Sequence, residues 1–375
     1  MKKLSFFLTL ALLVSMLAGC AGTPVIYYTD CTCPVEAHEE AAPTEAPEVT
    51  EALVVQETEA VAETVAAAEA PLKTGLYIAT GMSDSKSATA EENGEGKYDV
   101  TMVAVLVDDN GVIQDCIIDG IAASVKFDAA GVLTTDAAVA PQTKNELGEN
   151  YGMVAWGGAI AEWDAQAAAL ASYAVGKTVE ELRNGAIDET GKAPAGSDLA
   201  SSATIYLGGY VSAIEAAVAN AQHLGAQAGD TLKLATITGI DSSKSADGEN
   251  PGCTQLDATV TAMSMNGETI TSCAIDAVQA KVTFDASGVI TSDVTAPVQT
   301  KNQLGENYGM VAWGGAIAEW DAQAASFASY VTGKTVAEVN GIAVNEGTKP
   351  TEADLASSVT IAIGGFQALI TKAAQ

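Results

Sequence analysis

The sequence predicts an α+β protein of two tandem homologous domains, each an antiparallel sheet followed by helices, preceded by a signal peptide and a disordered acidic linker. Three observations predict it. The block QTKNELGENYGMVAWGGAIAEWDAQAA, Gln142 to Ala168, returns as Gln299 to Ala325 with one difference, Glu146 against Gln303. In each copy, strand-like runs flank an Asn-Gly pair and stretches with helical spacing follow. The composition before about residue 70 is unlike that of the rest.

The chain has 375 residues, 17 Lys plus Arg and 48 Asp plus Glu, for a net charge of −31. Such a surface repels phosphate backbones, which excludes nucleic acid as a partner. Two His residues, His38 and His223, leave little material for a His-rich metal site or for a Ser-His-Asp triad in each half.

Residues 1–19 read as a signal peptide: basic Lys2-Lys3, an apolar run from Leu4 to Met16, then Leu17-Ala18-Gly19-Cys20. The run is too short to span a bilayer, which takes about 20 residues. LAGC resembles the lipobox of bacterial lipoproteins, which implies that Cys20 carries lipid and tethers the chain to the extracytoplasmic face of a membrane. Residues 20–70 form an acidic Pro/Ala/Glu/Thr linker, with ten Glu and no Lys or Arg between Pro34 and Leu72. Self-repulsion keeps such a chain extended, with a reach of about 40 Å. Cys31 and Cys33, a lone C-x-C, read as a local oxidisable pair.

The repeats occupy residues 71–226 and 227–375. Thr80–Ala88 (TGMSDSKSA) faces Thr238–Ala246 (TGIDSSKSA), and Asp198–Thr204 (DLASSAT) faces Asp354–Thr360 (DLASSVT). A period this long marks tandem domains, not a solenoid. In the first copy Tyr98–Val107 and Val112–Ala122 read as hairpin strands, with Phe127–Thr134 as another short hairpin. In the second copy Leu256–Met265 and Glu268–Val278 flank Asn266-Gly267. A Gly-rich loop, Leu147–Gly158, then precedes a helix over about Ala159–Val175, whose apolar face is Ile160, Trp163, Ala167, Leu170 and Ala174. A last helix is predicted over about Asp198–Ala221. Cys116 and Cys273 share one strand position and read as buried free thiols, with a Cys253–Cys273 bond as the alternative.

At the start of the last helix, Asp198 can act as N-cap with Ser201 at N3, which accounts for both residues without a ligand. Capping leaves Ser202 and Thr204, and their counterparts Ser358 and Thr360, without a role. Free N–H groups at such a helix start also suit a phosphate.

Asp198, Ser201, Ala203 and Thr204, with Asp354, Ser357 and Thr360 in the second copy, resemble the Asp-Gly-x-Ser-Gly-Ala-Thr motif of the FMN-binding domain family. Leu199 and Ser202 stand where that motif has glycines, and Val359 where it has Ala. The resemblance implies FMN as cofactor, esterified through its phosphate to Thr204 and Thr360 by a flavin transferase. It also implies a role in electron transfer or flavin capture with redox partners outside the cytoplasm. All four Trp residues lie in the repeated block. Trp163 and Trp320 fall on the apolar helix face and read as core. Trp156 and Trp313, among glycines, could stack on a planar ring. The alternative function is a non-enzymatic surface binding or adhesion lipoprotein that has lost flavin binding.

Overall fold

The computed structural model describes residues 70–375, which belong to one compact unit. The signal peptide, Cys20, the linker up to residue 69, Cys31 and Cys33 lie outside the described residues.

The first half begins with β1 (Lys73–Gly81), β2 (Gly94–Val107) and β3 (Ile113–Phe127). They form an antiparallel sheet in the order β1-β2-β3. Six helices follow: α1 (Lys144–Leu147), α2 (Met153–Gly157), α3 (Trp163–Ala174), α4 (Val179–Ala186), α5 (Asp198–Ser202) and α6 (Gly208–Ala219). The second half repeats the plan with β4 (Thr231–Gly239), β5 (Gly252–Asn266) and β6 (Thr269–Phe284). Its helices are α7 (Lys301–Leu304), α8 (Met310–Gly314), α9 (Trp320–Val331), α10 (Val336–Asn340), α11 (Ala353–Ala356) and α12 (Gly364–Ala373). The architecture is α+β in two similar halves.

Strand periodicity explains how the layers stack. Along β2, Val103, Val105 and Val107 face the helices and pack with Trp163, Leu170 and Ile214. Tyr98, Val100 and Met102 point the other way and meet Leu256, Val260 and Val278 of the second sheet. Both faces of each sheet are therefore covered, in the order helices, sheet, sheet, helices. This is why the strands read as almost unbroken apolar runs. Gly75 has a steric role here: a Cβ on it would lie 2.1 Å from the Ala217 carbonyl oxygen, so α6 rests directly on β1.

The sheet-to-sheet contact is reciprocal. Phe127 stacks on its counterpart Phe284 with centroids 3.8 Å apart and planes 3° from parallel. Ala88 N–H donates to the Gly288 carbonyl at 2.8 Å, and Ala246 N–H to the Gly131 carbonyl at 2.8 Å. Ser245 Oγ accepts from Leu133 N–H at 3.0 Å, and Ser87 Oγ from Ile290 N–H at 3.0 Å. The repeated SKSA segments are thus the two sides of an isologous interface.

Several elements depart from the sequence reading. β1 and α4 were not expected, although Thr178 and Glu181 make a capping box at the start of α4. The helix expected from Ala159 starts at Trp163, and Ile160 is 56% exposed before it. Glu162 has left the helical path because its carboxylate accepts the Met153 and Val154 N–H groups at 2.8 and 2.9 Å, closing the open start of α2. The single last helix is two, α5 and α6, with an irregular segment from Ala203 to Leu207 between them. Cys253 is paired in register with Thr283 and Cys273 with Met263, so the two sulfurs are far apart along the ladder; Cys116, Cys253 and Cys273 are free and buried.

Candidate functional site

The DLASSAT segment does not form the helix start that the sequence suggests. Ser197, not Asp198, caps α5, its side chain accepting the Ala200 N–H at 3.2 Å. Ser201 Oγ donates to the Asp198 carbonyl at 2.6 Å, and Ser357 Oγ to the Asp354 carbonyl at 2.8 Å. These two hydroxyls are engaged locally. Asp354 lies in the first turn of α11 with no capping bond of its own.

Thr204 sits beyond the end of α5, held by a polar residue of α3. Gln166 is fully buried in α3. Its Nε2 donates to the Ala161 carbonyl at 2.8 Å, while its Oε1 accepts from the backbone N–H of Thr204 (2.8 Å) and of Ile205 (3.2 Å). The Thr204 hydroxyl donates to the same oxygen at 3.3 Å. Gln323 does the same for Thr360 and Ile361, at 2.8, 3.2 and 3.3 Å. A buried amide needs partners for both ends, and the irregular backbone needs acceptors; each solves the other's problem. The two N–H groups that could have met a phosphate are occupied. One sequence signal marks this: Gln166 and Gln323 interrupt otherwise Ala-rich helix faces.

Beside the Thr204 segment lies a cleft of about 580 Å³. Tyr77 from β1, Tyr151 and Trp163 from the repeated block, and Ile205, Tyr206 and Tyr210 around the start of α6 line it. Trp163 is buried, as its place on the apolar face predicts, and its indole N–H donates to the Tyr210 hydroxyl at 3.0 Å. Burial pushes the Tyr151 and Tyr210 phenols above their ordinary values.

Lys144, the first residue of α1, is the charged group of this cleft. It is only 9% exposed. Among the described residues no carboxylate lies within ion-pair distance of its ammonium and no acceptor is hydrogen-bonded to it. Its Nζ rests instead 4.9 Å from the Trp163 ring centre and 5.5 Å from that of Tyr151. Desolvation lowers its pKa, opposed by the fields of Asp99 and Asp119. Asp119 is buried behind α1, where it accepts the Asn145 N–H at 3.1 Å, and burial raises its carboxyl. In the second half Lys301 takes the equivalent place, 4.8 Å from the centres of both Tyr308 and Trp320.

Trp156 and Trp313 do not line this cleft. Each is 91% exposed on its short helix, beside half-exposed Val154 or Val311. Their rings lie over Gly152 and Gly309, whose φ of +83° turns the chain into the helix. The structure therefore separates the predicted residues: Thr204 stands near a buried aromatic cleft, Thr360 is held by Gln323 in the same way, and the exposed Trp pair forms surface knobs. A larger cavity, about 780 Å³, lies between the halves; its buried carboxylate, Asp276, already accepts from the Ala277 and Asn302 N–H groups. Comparisons with family models, with curated proteins and with solved structures return no match.

Proposed function

We propose that this chain is a lipid-anchored extracytoplasmic protein that binds FMN through its FMN-binding-like repeats and serves electron transfer or flavin capture. The observation that carries the reading is the cleft next to Thr204, where aromatic rings surround a buried lysine without an anionic partner. Its volume is in the range of small-molecule sites, and its lining suits a planar ring bearing negative charge. Bound there, FMN would supply the redox chemistry. The chain's own part is to stack the ring, exclude water and offer the Lys144 ammonium to an anionic group. The resident fit is good for a ring and poorer for a phosphate cradled by Thr204 and Ile205, since Gln166 holds both N–H groups. The Thr204 hydroxyl remains available, because its bond to Gln166 is long, at 3.3 Å.

Intact-mass measurement of the mature protein, made alongside an active flavin transferase, tests the reading together with its visible absorption. A yellow protein that loses an FMN adduct on Thr204→Ala or Thr360→Ala supports covalent flavinylation. A yellow protein with unmodified mass leaves reversible binding. A colourless protein that takes up no added FMN rejects the flavin reading in favour of a surface binding module, for which the exposed Trp156 and Trp313 are the motivating feature. Lipid attachment is tested separately: Cys20→Ala should release the protein from membranes or trap its precursor.

A further inference from the structure

The positions equivalent to the lining of the cleft beside Thr204 are differently equipped in the second half. Aligning Thr80 with Thr238 and Thr204 with Thr360 sets Tyr77 against Ala235, Tyr206 against Ala362 and Tyr210 against Phe366. The second half therefore lacks three phenol hydroxyls that the first cleft presents. With Phe366 in place of Tyr210, the Trp320 ring meets only an apolar edge, with centroids 5.8 Å apart, and its N–H has no acceptor there.

The remaining groups differ in the same sense. Lys144 is nine-tenths buried, whereas Lys301 is only partly so. The Tyr308 hydroxyl donates to Gln279 Oε1 at 3.0 Å, and Gln279 Nε2 in turn donates to Asp257 at 3.0 Å. The first half has Ala122 where the second has Gln279, so Tyr151 has no such tether. The Tyr308 phenol of the second half is thus tied internally, whereas among the described residues the Tyr77, Tyr151 and Tyr206 hydroxyls at the first cleft have no side-chain partner. A buried cation without an ion-pair partner costs stability, and an anionic ligand placed against it lowers that cost.

We infer that only the first repeat receives the ligand, a planar aromatic anion of the FMN class, with Lys144 as its charge partner, so that each chain binds one molecule. The second repeat is a structural partner to the first. This rests on the flavin reading above.

Titration of the full-length mature chain with FMN, followed by quenching of flavin fluorescence, tests it. The expected result is saturation at one FMN per chain. Lys144→Ala should weaken binding about tenfold or more, the scale of one charge-assisted contact, and Lys144→Arg should recover much of it. Lys301→Ala should change affinity less than about twofold, since a residue remote from the ligand contributes little. Tyr206→Ala copies the second repeat at a side chain that is 59% exposed and therefore safe for folding; it should weaken binding as well. Two equal FMN sites, or equal losses from Lys144→Ala and Lys301→Ala, overturn the inference while sparing the flavin reading. Absence of any quenching removes both.

Discussion

Glu146 of α1 forms an ion pair with Lys372 of α12, joining the first half to the last helix of the second. Position 146 is the one place where the repeated block differs, and Gln303 is its counterpart. Both residues still close the capping box of their own helix, Glu146 on Thr143 and Gln303 on Thr300. The substitution therefore separates two tasks. The cap is kept in both copies, and the charge is used only where a lysine faces it, since Ala216 stands in the first half at the place of Lys372.

Glu146→Gln should keep the cap and lose only the ion pair. Both partners are partly exposed, so the expected cost is about 0.2–1 kcal/mol and should shrink with added salt. A double-mutant cycle with Lys372→Met in urea melts measures it. A coupling near zero at low salt would count against the pair.

Gln166→Leu should be far more damaging. It leaves the N–H groups of Thr204 and Ile205 and the Ala161 carbonyl without their buried partner, at about 2 kcal/mol or more. Equilibrium unfolding reads the loss, and Gln323→Leu should give a similar value. A loss below about 0.5 kcal/mol, the range of ordinary surface changes, would mean that the amide is not what holds the threonine segment.

The Cys116 and Cys273 thiols should resist alkylation in the folded protein. Burial pushes both up to about 12, so almost no thiolate exists at pH 8. Reaction with a thiol reagent should appear only on unfolding. Rapid modification of native protein at either position would contradict this.

Burial raises the Asp119 and Asp276 carboxyls in the folded chain. In the window between the ordinary value and the raised one, the folded state holds more protons than the unfolded state. Stability from these groups therefore falls as pH rises through that window, and is flat below it. Asp119→Asn keeps an acceptor for Asn145 and should flatten the fall. Melting temperatures across acid to neutral pH should converge with wild type at the acid end. Divergence there instead would reverse the sign of the argument.

A polypeptide of residues 70–226 alone exposes the apolar face of its sheet, including Val100 and Met102. It should self-associate or remain unfolded, as sedimentation would show. A stable monomer would mean that the halves are independent.

The strands β2, β3, β5 and β6 were legible because apolar strand-like runs bracket Asn-Gly turns, and the repeat made each half check the other. β1 escaped because LYIAT is short and stands alone before a polar stretch. Continuous apolar runs in β2 recorded burial on both faces, but not that the second face meets a copy of itself. At the candidate site the threonines were found through a motif, yet their helical setting was wrong, because nothing local shows that Gln166, thirty-eight residues earlier, holds the backbone out of the helix. Nothing local marks Lys144 as buried; its ammonium is covered by the Tyr151 and Trp163 rings, which the chain folds back onto it from later in the repeated block.

The reciprocal bonds of Ser87 and Ser245 have an evolutionary consequence. They are what a two-fold dimer of identical subunits would make, but here one covalent chain carries both sides, with only residues 220–230 between α6 and β4. A short connection holds the halves at an effective concentration on the order of millimolar, so pairing no longer depends on protein abundance or on a tight interface. Fusion thereby lifts the requirement that every substitution be tolerated twice. In a homodimer, exchanging Tyr210 for Phe would alter both clefts at once. In this chain Phe366 stands in one copy while Tyr210 stays in the other, and the division of labour between the halves becomes heritable.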